Sequence, residues 1–229
     1  MTAMATGTDT ILCDIEDQIA TVTLNRPEAR NAMDREMMDH MGDVFSSLEM
    51  NRDVRCVILT GAGKGFCAGG DVKAMASSGD ITVAKSLTTD ESIHRQRDQQ
   101  RASVGKLFKM PKPTIAALPG AAAGAGMAFA LSCDFRIMAS NAIMTTAFAK
   151  VGFSGDYGGS YFLTHLVGAA KARELYMLSE RVSAQEALDL GLTTYVCEPE
   201  ELQDKARELA LRLANGPAVA FRYMKENLN

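Results

Sequence analysis

The sequence predicts an α/β fold in which short buried strands alternate with amphipathic helices. Two apolar runs of strand length, at residues 54–59 and 115–118, each lead into a glycine-rich corner. In residues 34–48, apolar side chains instead recur at the spacing that places them on one face of a helix. Because the same succession of strand and helix recurs along the chain, we expect repeated α/β units that form a superhelix.

The N-terminal part is predicted to contain two strands, one helix and a third strand. Residues 11–24 divide into two strands around Asp17 and Gln18, and their alternating side chains suit a sheet edge with one buried face. A strand at residues 54–60 completes the unit. The helix between them is expected to bury its methionines as core residues rather than use them as ligands. Its predicted buried face consists of Met37, Met41, Val44, Phe45 and Leu48.

Further strands are predicted at residues 114–118 and 134–139. The polar stretch 76–103 is predicted to be a mobile loop that leads into a surface helix, where His94 is interpreted as a solvated residue rather than a base. Ser183 and Glu186 form a capping box for a helix that Gly191 closes. Another amphipathic helix is predicted within residues 200–213.

Composition excludes several classes of protein. The 229 residues have a net charge of −4, 47% hydrophobic residues and a mean hydropathy of −0.04, which predicts one soluble domain with a sizeable core. Tryptophan and basic runs are missing from the sequence, which argues against nucleic-acid binding. The sequence shows neither a membrane span nor a secretory start, so the cytoplasm is the expected location. Five scattered cysteines are predicted to be reduced, and no metal-ligand spacing is found.

The two glycine-rich corners, residues 61–71 and 119–126, are the strongest functional signal. Gly124, Ala125 and Gly126 are predicted to lie in the first turn of a helix, where backbone N–H groups have no intrahelical partner and can hold an oxyanion. Neither corner is a nucleotide loop, because Lys64 is followed by Gly65 rather than Ser or Thr. Each corner can supply one N–H. The alternative is that the small residues only let a helix cross a strand closely.

The segments LNRPEARNAM (residues 24–33), GAGKGFCAGGDVKAM (residues 61–75) and AFAKVGFSGDYGGSYFLTHLVG (residues 147–168) resemble the crotonase, or enoyl-CoA hydratase/isomerase, superfamily. The resemblance implies a crotonase-like superhelix of repeated ββα units over residues 1–195. Residues 196–229 would begin a C-terminal helical region, which usually continues for several tens of residues in that family. It also implies coenzyme A as part of the substrate, no permanently bound cofactor, and a homotrimer or a dimer of trimers.

The resemblance also implies an oxyanion hole for a thioester carbonyl, built from the backbone N–H groups of Gly70 and Ala125. Hydratases of the family carry two glutamates at positions that match Ala128 and Phe148 here, so ordinary water addition by paired glutamates is not expected. The side chain of Asp71, like that of Asp134, is interpreted as structural. Positions expected to contact coenzyme A or the acyl group are Arg26, Arg30, Phe66, Ala68, Gly69, Gly70, Asp71, Val72 and Phe148.

Asp156 is the candidate base, because it matches an aspartate position used by isomerases and by hydrolytic or dehalogenating branches of the family. Phe148, Val151, Phe153 and Tyr157 are expected to form an apolar wall that raises its pKa. Alternatively, Asp156 only caps a helix that begins at Tyr157. The pattern most resembles Asp-dependent enoyl-CoA and ring-1,2-epoxyphenylacetyl-CoA isomerases. A hydratase-like, hydrolytic or dehalogenating enzyme is the second interpretation, and a noncatalytic acyl-CoA binding protein is the third.

Overall fold

A computed structural model describes residues 1–71 and 87–229 of the chain. Val72 and residues 76–86 of the stretch predicted to be a mobile loop lie outside the described residues. The strands of the larger sheet are β1 (Thr2–Ala3), β2 (Ile11–Glu16), β3 (Ile19–Leu24), β4 (Cys56–Gly61), β5 (Thr114–Leu118), β7 (Phe135–Ala139) and β10 (Tyr195–Cys197). The strands of the smaller sheet are β6 (Ala122–Ala123), β8 (Ile143–Thr145) and β9 (Val182–Ser183).

The larger sheet has the strand order β1-β2-β3-β4-β5-β7-β10. Strands β2 and β3 form an antiparallel hairpin, whereas β3, β4, β5, β7 and β10 are parallel neighbours. Parallel neighbours need crossover connections, and their carboxyl ends lie at one edge of the sheet. The two glycine-rich corners follow β4 and β5, which are adjacent, so the topology brings them to the same place.

The helices pack on both faces of this sheet. They are α1 (Arg35–Met50), α2 (Thr89–Gln100), α3 (Lys106–Lys109), α4 (Ala125–Ser132), α5 (Gly159–Leu178), α6 (Ala184–Asp189), α7 (Leu202–Ala214) and α8 (Ala218–Leu228). A π-helical turn, Arg101–Gly105, joins α2 to α3, and short 3-10 turns occupy Pro27–Ala29, Phe148–Val151 and Pro199–Glu201. Gly168 interrupts α5 with non-helical backbone angles.

The predicted helix signals are confirmed. The Asp34 carboxylate accepts a hydrogen bond from the Met37 N–H and caps α1, whose five predicted core residues are all buried. Ser183 and Glu186 form the predicted capping box at the start of α6. His94 lies on the exposed surface of α2, where it pairs with Asp98. Among the described residues, no helix is long and apolar enough to cross a membrane.

Helix α7 covers the sheet face opposite α1. Leu202, Ala206 and Ala210 of α7 are buried against sheet residues that include Ile58 and Ile115. The boundary predicted at residue 195 falls at the first residue of β10, which pairs with β7. Helix α7 therefore forms a layer on the sheet, because its apolar stripe is buried against it.

A buried ion pair ties α8 to the sheet. The Lys225 ammonium lies 2.8 Å from Oδ2 of Asp134, and the same oxygen accepts hydrogen bonds from the backbone N–H and the hydroxyl of Thr114. Lys225 is only 8% exposed, so both charges depend on each other for solvation. This contact confirms the structural interpretation of Asp134.

Candidate active site

The two glycine-rich corners are joined by backbone hydrogen bonds. The N–H groups of Phe66 and Cys67 both donate to the Ala121 carbonyl at 3.1 Å, and the Ala123 N–H donates to the Cys67 carbonyl at 2.9 Å. These bonds form a parallel bridge between Cys67 and Ala122 of β6, in the smaller sheet. The first corner is thereby held against the start of α4.

Small residues are required where the corners meet. A methyl group on Gly126 would lie 2.4 Å from the Cys67 carbonyl oxygen and 2.8 Å from its sulfur. On Gly69, whose φ is +88°, it would lie 2.8 Å from the Ala123 carbonyl oxygen and 3.4 Å from the Ala125 nitrogen. Both distances to oxygen are shorter than any normal carbon contact. The predicted close approach of a helix to a strand therefore exists, and it places residues 69 and 125 next to each other.

The N–H groups of Gly70 and Ala125 are the two candidate oxyanion donors. Gly70 forms a parallel bridge with Met33, in which Met33 donates to the Gly69 carbonyl and Asp71 donates to the Met33 carbonyl. In such a bridge the N–H of Gly70 itself is turned away from Met33. Ala125 is the first residue of α4, so its N–H has no intrahelical acceptor. By contrast, the Ala68 N–H is occupied by the Arg30 carbonyl at 3.1 Å.

Asn31 and Arg26 hold the first corner in place. The buried Asn31 amide donates to the carbonyls of Ala62 and Gly65 and accepts from the Arg26 N–H. The Arg26 guanidinium lies 3.1 Å from carboxylate oxygens of both Asp34 and Asp71. Asp71 follows Gly70 directly, so this ion pair fixes the backbone next to a candidate donor. The role of Asn31 was missed in the sequence, although it lies within the segment of residues 24–33.

The other predicted contact residues have different environments. The Phe66 side chain is fully buried in the core, whereas the Arg30 side chain is exposed and Ala68 is exposed beside it. Because the charge of Arg26 is already paired with two carboxylates, Arg30 is the better placed of the two arginines for a phosphate. Contact of these residues with coenzyme A stays a prediction.

Asp156 lies in the loop between the 3-10 turn Phe148–Val151 and α5. Helix α5 begins at Gly159 and its N-cap, Gly158, makes no side-chain cap hydrogen bond. The alternative that Asp156 caps a helix starting at Tyr157 is therefore wrong. Carboxylate oxygen Oδ1 of Asp156 is buried and has no hydrogen-bond partner among the described residues. A carboxylate with a buried, unpartnered oxygen is costly in a folded protein, which is typical of a functional group.

Burial raises the pKa of Asp156 from 3.8 to about 6. The predicted apolar wall is correct in part. Tyr157 is buried and packs on Phe129 of α4 with ring centroids 5.8 Å apart, and Phe148 is also buried. Val151 and Phe153 are instead 49% and 47% exposed. They flank Gly152, whose left-handed backbone ends the 3-10 turn and directs its neighbours to solvent.

Tyr176 of α5 also belongs to this site and was missed in the sequence. Its ring stacks on Phe148 with centroids 5.9 Å apart and planes 17° apart. A methyl group on Gly159 would lie 2.7 Å from the Tyr176 hydroxyl oxygen and 3.4 Å from Cβ of Ala128. Gly159 thus lies close to both the Tyr176 hydroxyl and Ala128. A narrow crevice here is lined mainly by apolar groups, including Gly124, Ala128, Leu163, Phe148 and Tyr176.

The raised pKa of Asp156 predicts a pH-dependent effect on stability. The folded protein binds this proton more tightly than the unfolded chain does. Ionisation of Asp156 therefore lowers the free energy of unfolding, and this loss is absent below about pH 4 and complete above about pH 6. Asp156→Asn should therefore raise the Tm at pH 7.5, and the gain should vanish at pH 4. Each kcal/mol corresponds to roughly 2–4 °C in a domain of this size. An equal Tm difference at both pH values would contradict the assignment, and the exposed Asp53→Asn is the control.

In the part of the chain that the structure describes, no group of three His, Cys, Asp or Glu side chains is arranged to hold a metal ion. The candidate site itself consists of two backbone donors at the joined corners and one buried carboxylate. Such an arrangement can stabilise negative charge on a carbonyl oxygen while a nearby carboxylate moves a proton.

The sequence matches the family model described as Enoyl-CoA hydratase/isomerase over residues 14–229. It is 36% identical over 219 residues to the 1,2-epoxyphenylacetyl-CoA isomerase of Escherichia coli (strain K12), covering 96% of this chain and 81% of the relative. It is 34% identical over 220 residues to the short-chain-enoyl-CoA hydratase of Clostridium acetobutylicum, covering 96% of this chain and 80% of the relative. The crystal structure of an enoyl-CoA hydratase from Polaromonas sp. JS666 aligns with a TM-score of 0.86 at 35% identity, covering 96% of this chain and 82% of the chain in that structure. A relative named as an isomerase and a relative named as a hydratase are thus almost equally similar to this chain.

Proposed function

Because the chain belongs to the enoyl-CoA hydratase/isomerase family, we propose that it shifts a double bond in an enoyl-CoA thioester, or isomerises a ring epoxide or oxepin thioester, with Asp156 as the acid/base. The single observation that carries this proposal is which carboxyl groups the site contains and which it lacks. Ala128 and Phe148 lie in the crevice at the positions of the family's two glutamates, and Asp156, which follows Gly155 in the loop that approaches Phe148, supplies a buried carboxylate.

The proposed reaction begins when the Asp156 carboxylate removes a proton from C2 of a 3-enoyl thioester. The electron pair of that C–H bond delocalises over the double bond and the carbonyl, which gives a dienolate. The N–H groups of Gly70 and Ala125 stabilise the charge on its oxygen, and removing one donor of this kind typically costs about 10²–10³ in rate. The Asp156 carboxylic acid then returns the proton to C4. The double bond moves to C2–C3, and no water is added.

The environment of Asp156 supports this use. A pKa of about 6 leaves the group mostly ionised near neutral pH yet able to hold a proton during the reaction. The packing of Tyr157 on Phe129 and the stacking of Phe148 on Tyr176 leave mainly apolar surface beside the carboxylate. A single carboxylate suits a proton that leaves and returns to the same acyl chain.

The mass of the product distinguishes this proposal from its alternatives. With a 3-enoyl-CoA as substrate, an isomerase yields a 2-enoyl-CoA of unchanged mass. Water addition would give a hydroxyacyl-CoA, and hydrolysis would release free coenzyme A. Either of the latter products in place of the isomer would overturn the isomerase proposal. Binding without any turnover of enoyl-CoA would instead identify a noncatalytic acyl-CoA binding protein.

We also propose that the protein assembles as a homotrimer or a dimer of trimers. Large apolar side chains are exposed on α8, which supports an association surface there. They are Val219, Tyr223, Met224 and Leu228. Light scattering at micromolar concentration should give the mass of three or six chains. A monomer mass would contradict the proposal.

A further inference from the structure

Helix α4 ends on a buried positive charge. The Arg136 side chain comes from β7 and is only 6% exposed. Its Nη1 donates to the Cys133 carbonyl at 2.5 Å and lies 3.5 Å from the Leu131 carbonyl oxygen, while its Nε donates to the Leu192 carbonyl at 2.7 Å. Leu131 and Cys133 lie at the C-terminus of α4, where carbonyl groups have no intrahelical donor. The guanidinium supplies donors to this helix end.

The charge of Arg136 is not neutralised by a carboxylate partner of its own. Among the residues that the structure describes, its hydrogen-bond acceptors are all backbone carbonyl oxygens. The Asp134 charge acts on it, but the Asp134 carboxylate is paired with the Lys225 ammonium at 2.8 Å. Two cations and one anion therefore leave a net charge of +1 at the C-terminus of α4.

The opposite end of α4 carries the candidate oxyanion donor. Gly124, the N-cap, makes no side-chain cap hydrogen bond, and Ala125 is the first helical residue. All residues of the helix, Ala125–Ser132, are buried. Because solvent is kept away from the whole length of α4, a charge at one end is only weakly screened from a charge at the other. A cation at the C-terminus also matches the helix dipole.

The length of the helix sets the size of this effect. Eight residues, each advancing about 1.5 Å, put the guanidinium about 12 Å from an oxyanion at the Ala125 N–H. With an effective dielectric constant of about 20, the attraction between two unit charges at that distance corresponds to roughly a tenfold change in an equilibrium constant. This is less than the loss caused by removing an oxyanion donor, but it is large enough to measure.

We propose that Arg136 is a positioning residue of the oxyanion hole, whose cation at the C-terminus of α4 holds that helix and stabilises the oxyanion bound by the Ala125 N–H. The inference rests on the proposed function, since it requires a thioester carbonyl at that N–H. Arg136 itself does not contact the ligand. Its charge favours a bound enolate over the neutral form of the same ligand.

Ultraviolet titration of bound acetoacetyl-CoA tests the inference, because the enolate and the neutral form of this ligand absorb differently and no turnover is needed. Arg136→Gln removes the charge and should lower the enolate-to-neutral ratio of the bound ligand about 3–10-fold at fixed pH. Arg136→Lys keeps the charge and should retain most of the wild-type ratio. Arg207→Gln, the control, removes an exposed guanidinium that pairs with Glu16, and it should leave the ratio unchanged.

Asp134→Asn should change the ratio in the opposite direction. It removes the one negative charge of the group and leaves Arg136 and Lys225, so the net charge rises from +1 to +2 and the enolate should become more abundant. A purely structural role would lower the ratio in Arg136→Gln, Arg136→Lys and Asp134→Asn alike, and that result would overturn the inference. If Arg136→Gln does not fold, a ratio in Asp134→Asn at or below that of the wild type overturns it.

The outcomes separate this inference from the function on which it rests. A wild type that stabilises bound enolate in an Arg136-dependent way but does not isomerise a 3-enoyl-CoA would keep the inference and remove the isomerase proposal. Isomerisation by the wild type, together with an unchanged enolate ratio in Arg136→Gln, would do the reverse. If the wild type bound no acetoacetyl-CoA, both would fall.

Discussion

Asp156→Asn is expected to lower kcat for double-bond isomerisation by about 10²–10⁴-fold, while acyl-CoA affinity stays nearly unchanged. The amide keeps the shape of the side chain but cannot accept a proton from the acyl group and return it. The carboxylate makes no hydrogen bond to the described residues through its buried oxygen, so its replacement breaks no such contact. Steady-state kinetics with a 3-enoyl-CoA, together with calorimetry on the same preparations, measure the two quantities.

Asp53→Asn is the matched control, because Asp53 is an exposed carboxylate next to β4 and outside the candidate site. It should keep wild-type kcat. A folded Asp156→Asn protein with full isomerase activity would remove Asp156 from the chemistry. The base would then have to be sought on α2, around Asp90, Glu91 and His94.

Gly126→Ala is expected to lower kcat/KM by about 10²–10³-fold, the loss typical of one oxyanion donor. The new methyl group would lie 2.4 Å from the Cys67 carbonyl oxygen and 2.7 Å from its Cβ, so the first corner must move away from α4. That movement separates the N–H of Gly70 from the N–H of Ala125. Alanine is the better helix former, so any loss reflects the clash rather than helix propensity.

Gly65→Ala is the control in the same corner, because its methyl group would meet only the Arg30 carbonyl oxygen, at 3.9 Å. It should retain wild-type kcat/KM. If Gly126→Ala is too unstable for assay, Gly69→Ala inserts a methyl group between the corners from the other side. Wild-type kcat/KM in a folded variant of either kind would contradict the proposed oxyanion hole.

Local patterns in the sequence were sufficient to predict several of the elements and the two glycine-rich corners, whereas the meeting of the corners was implied by the resemblance. The helical spacing of Met37, Met41 and Phe45 predicts one buried helix face. The glycines that follow the two apolar runs predict that another backbone segment packs closely against each corner. The resemblance then indicated which backbone groups and which carboxylate to examine. The crotonase-like fold is confirmed by the alignment with solved structures.

Contacts between distant segments could not be predicted in the same way. The Arg26 guanidinium pairs with Asp34 and Asp71, which come from separate elements, and no local pattern shows that pairing. Tyr176 reaches the site only because α5 folds back along α4, and an apolar helix pattern gives no sign of that. Val151 and Phe153 looked like pocket residues, yet the backbone turn at Gly152 leaves them exposed.

The central claim is that Asp156 removes a proton from one carbon of the acyl chain and delivers a proton to another. The measurement that tests it most directly is conversion of a 3-enoyl-CoA in D₂O, followed by NMR of the product. We expect a 2-enoyl-CoA with deuterium at C4 from the wild type, because the Asp156 proton exchanges with solvent before it is returned, and no such product from Asp156→Asn. A hydroxyacyl-CoA or free coenzyme A as the wild-type product, or an isomer formed equally fast by Asp156→Asn, would contradict the claim.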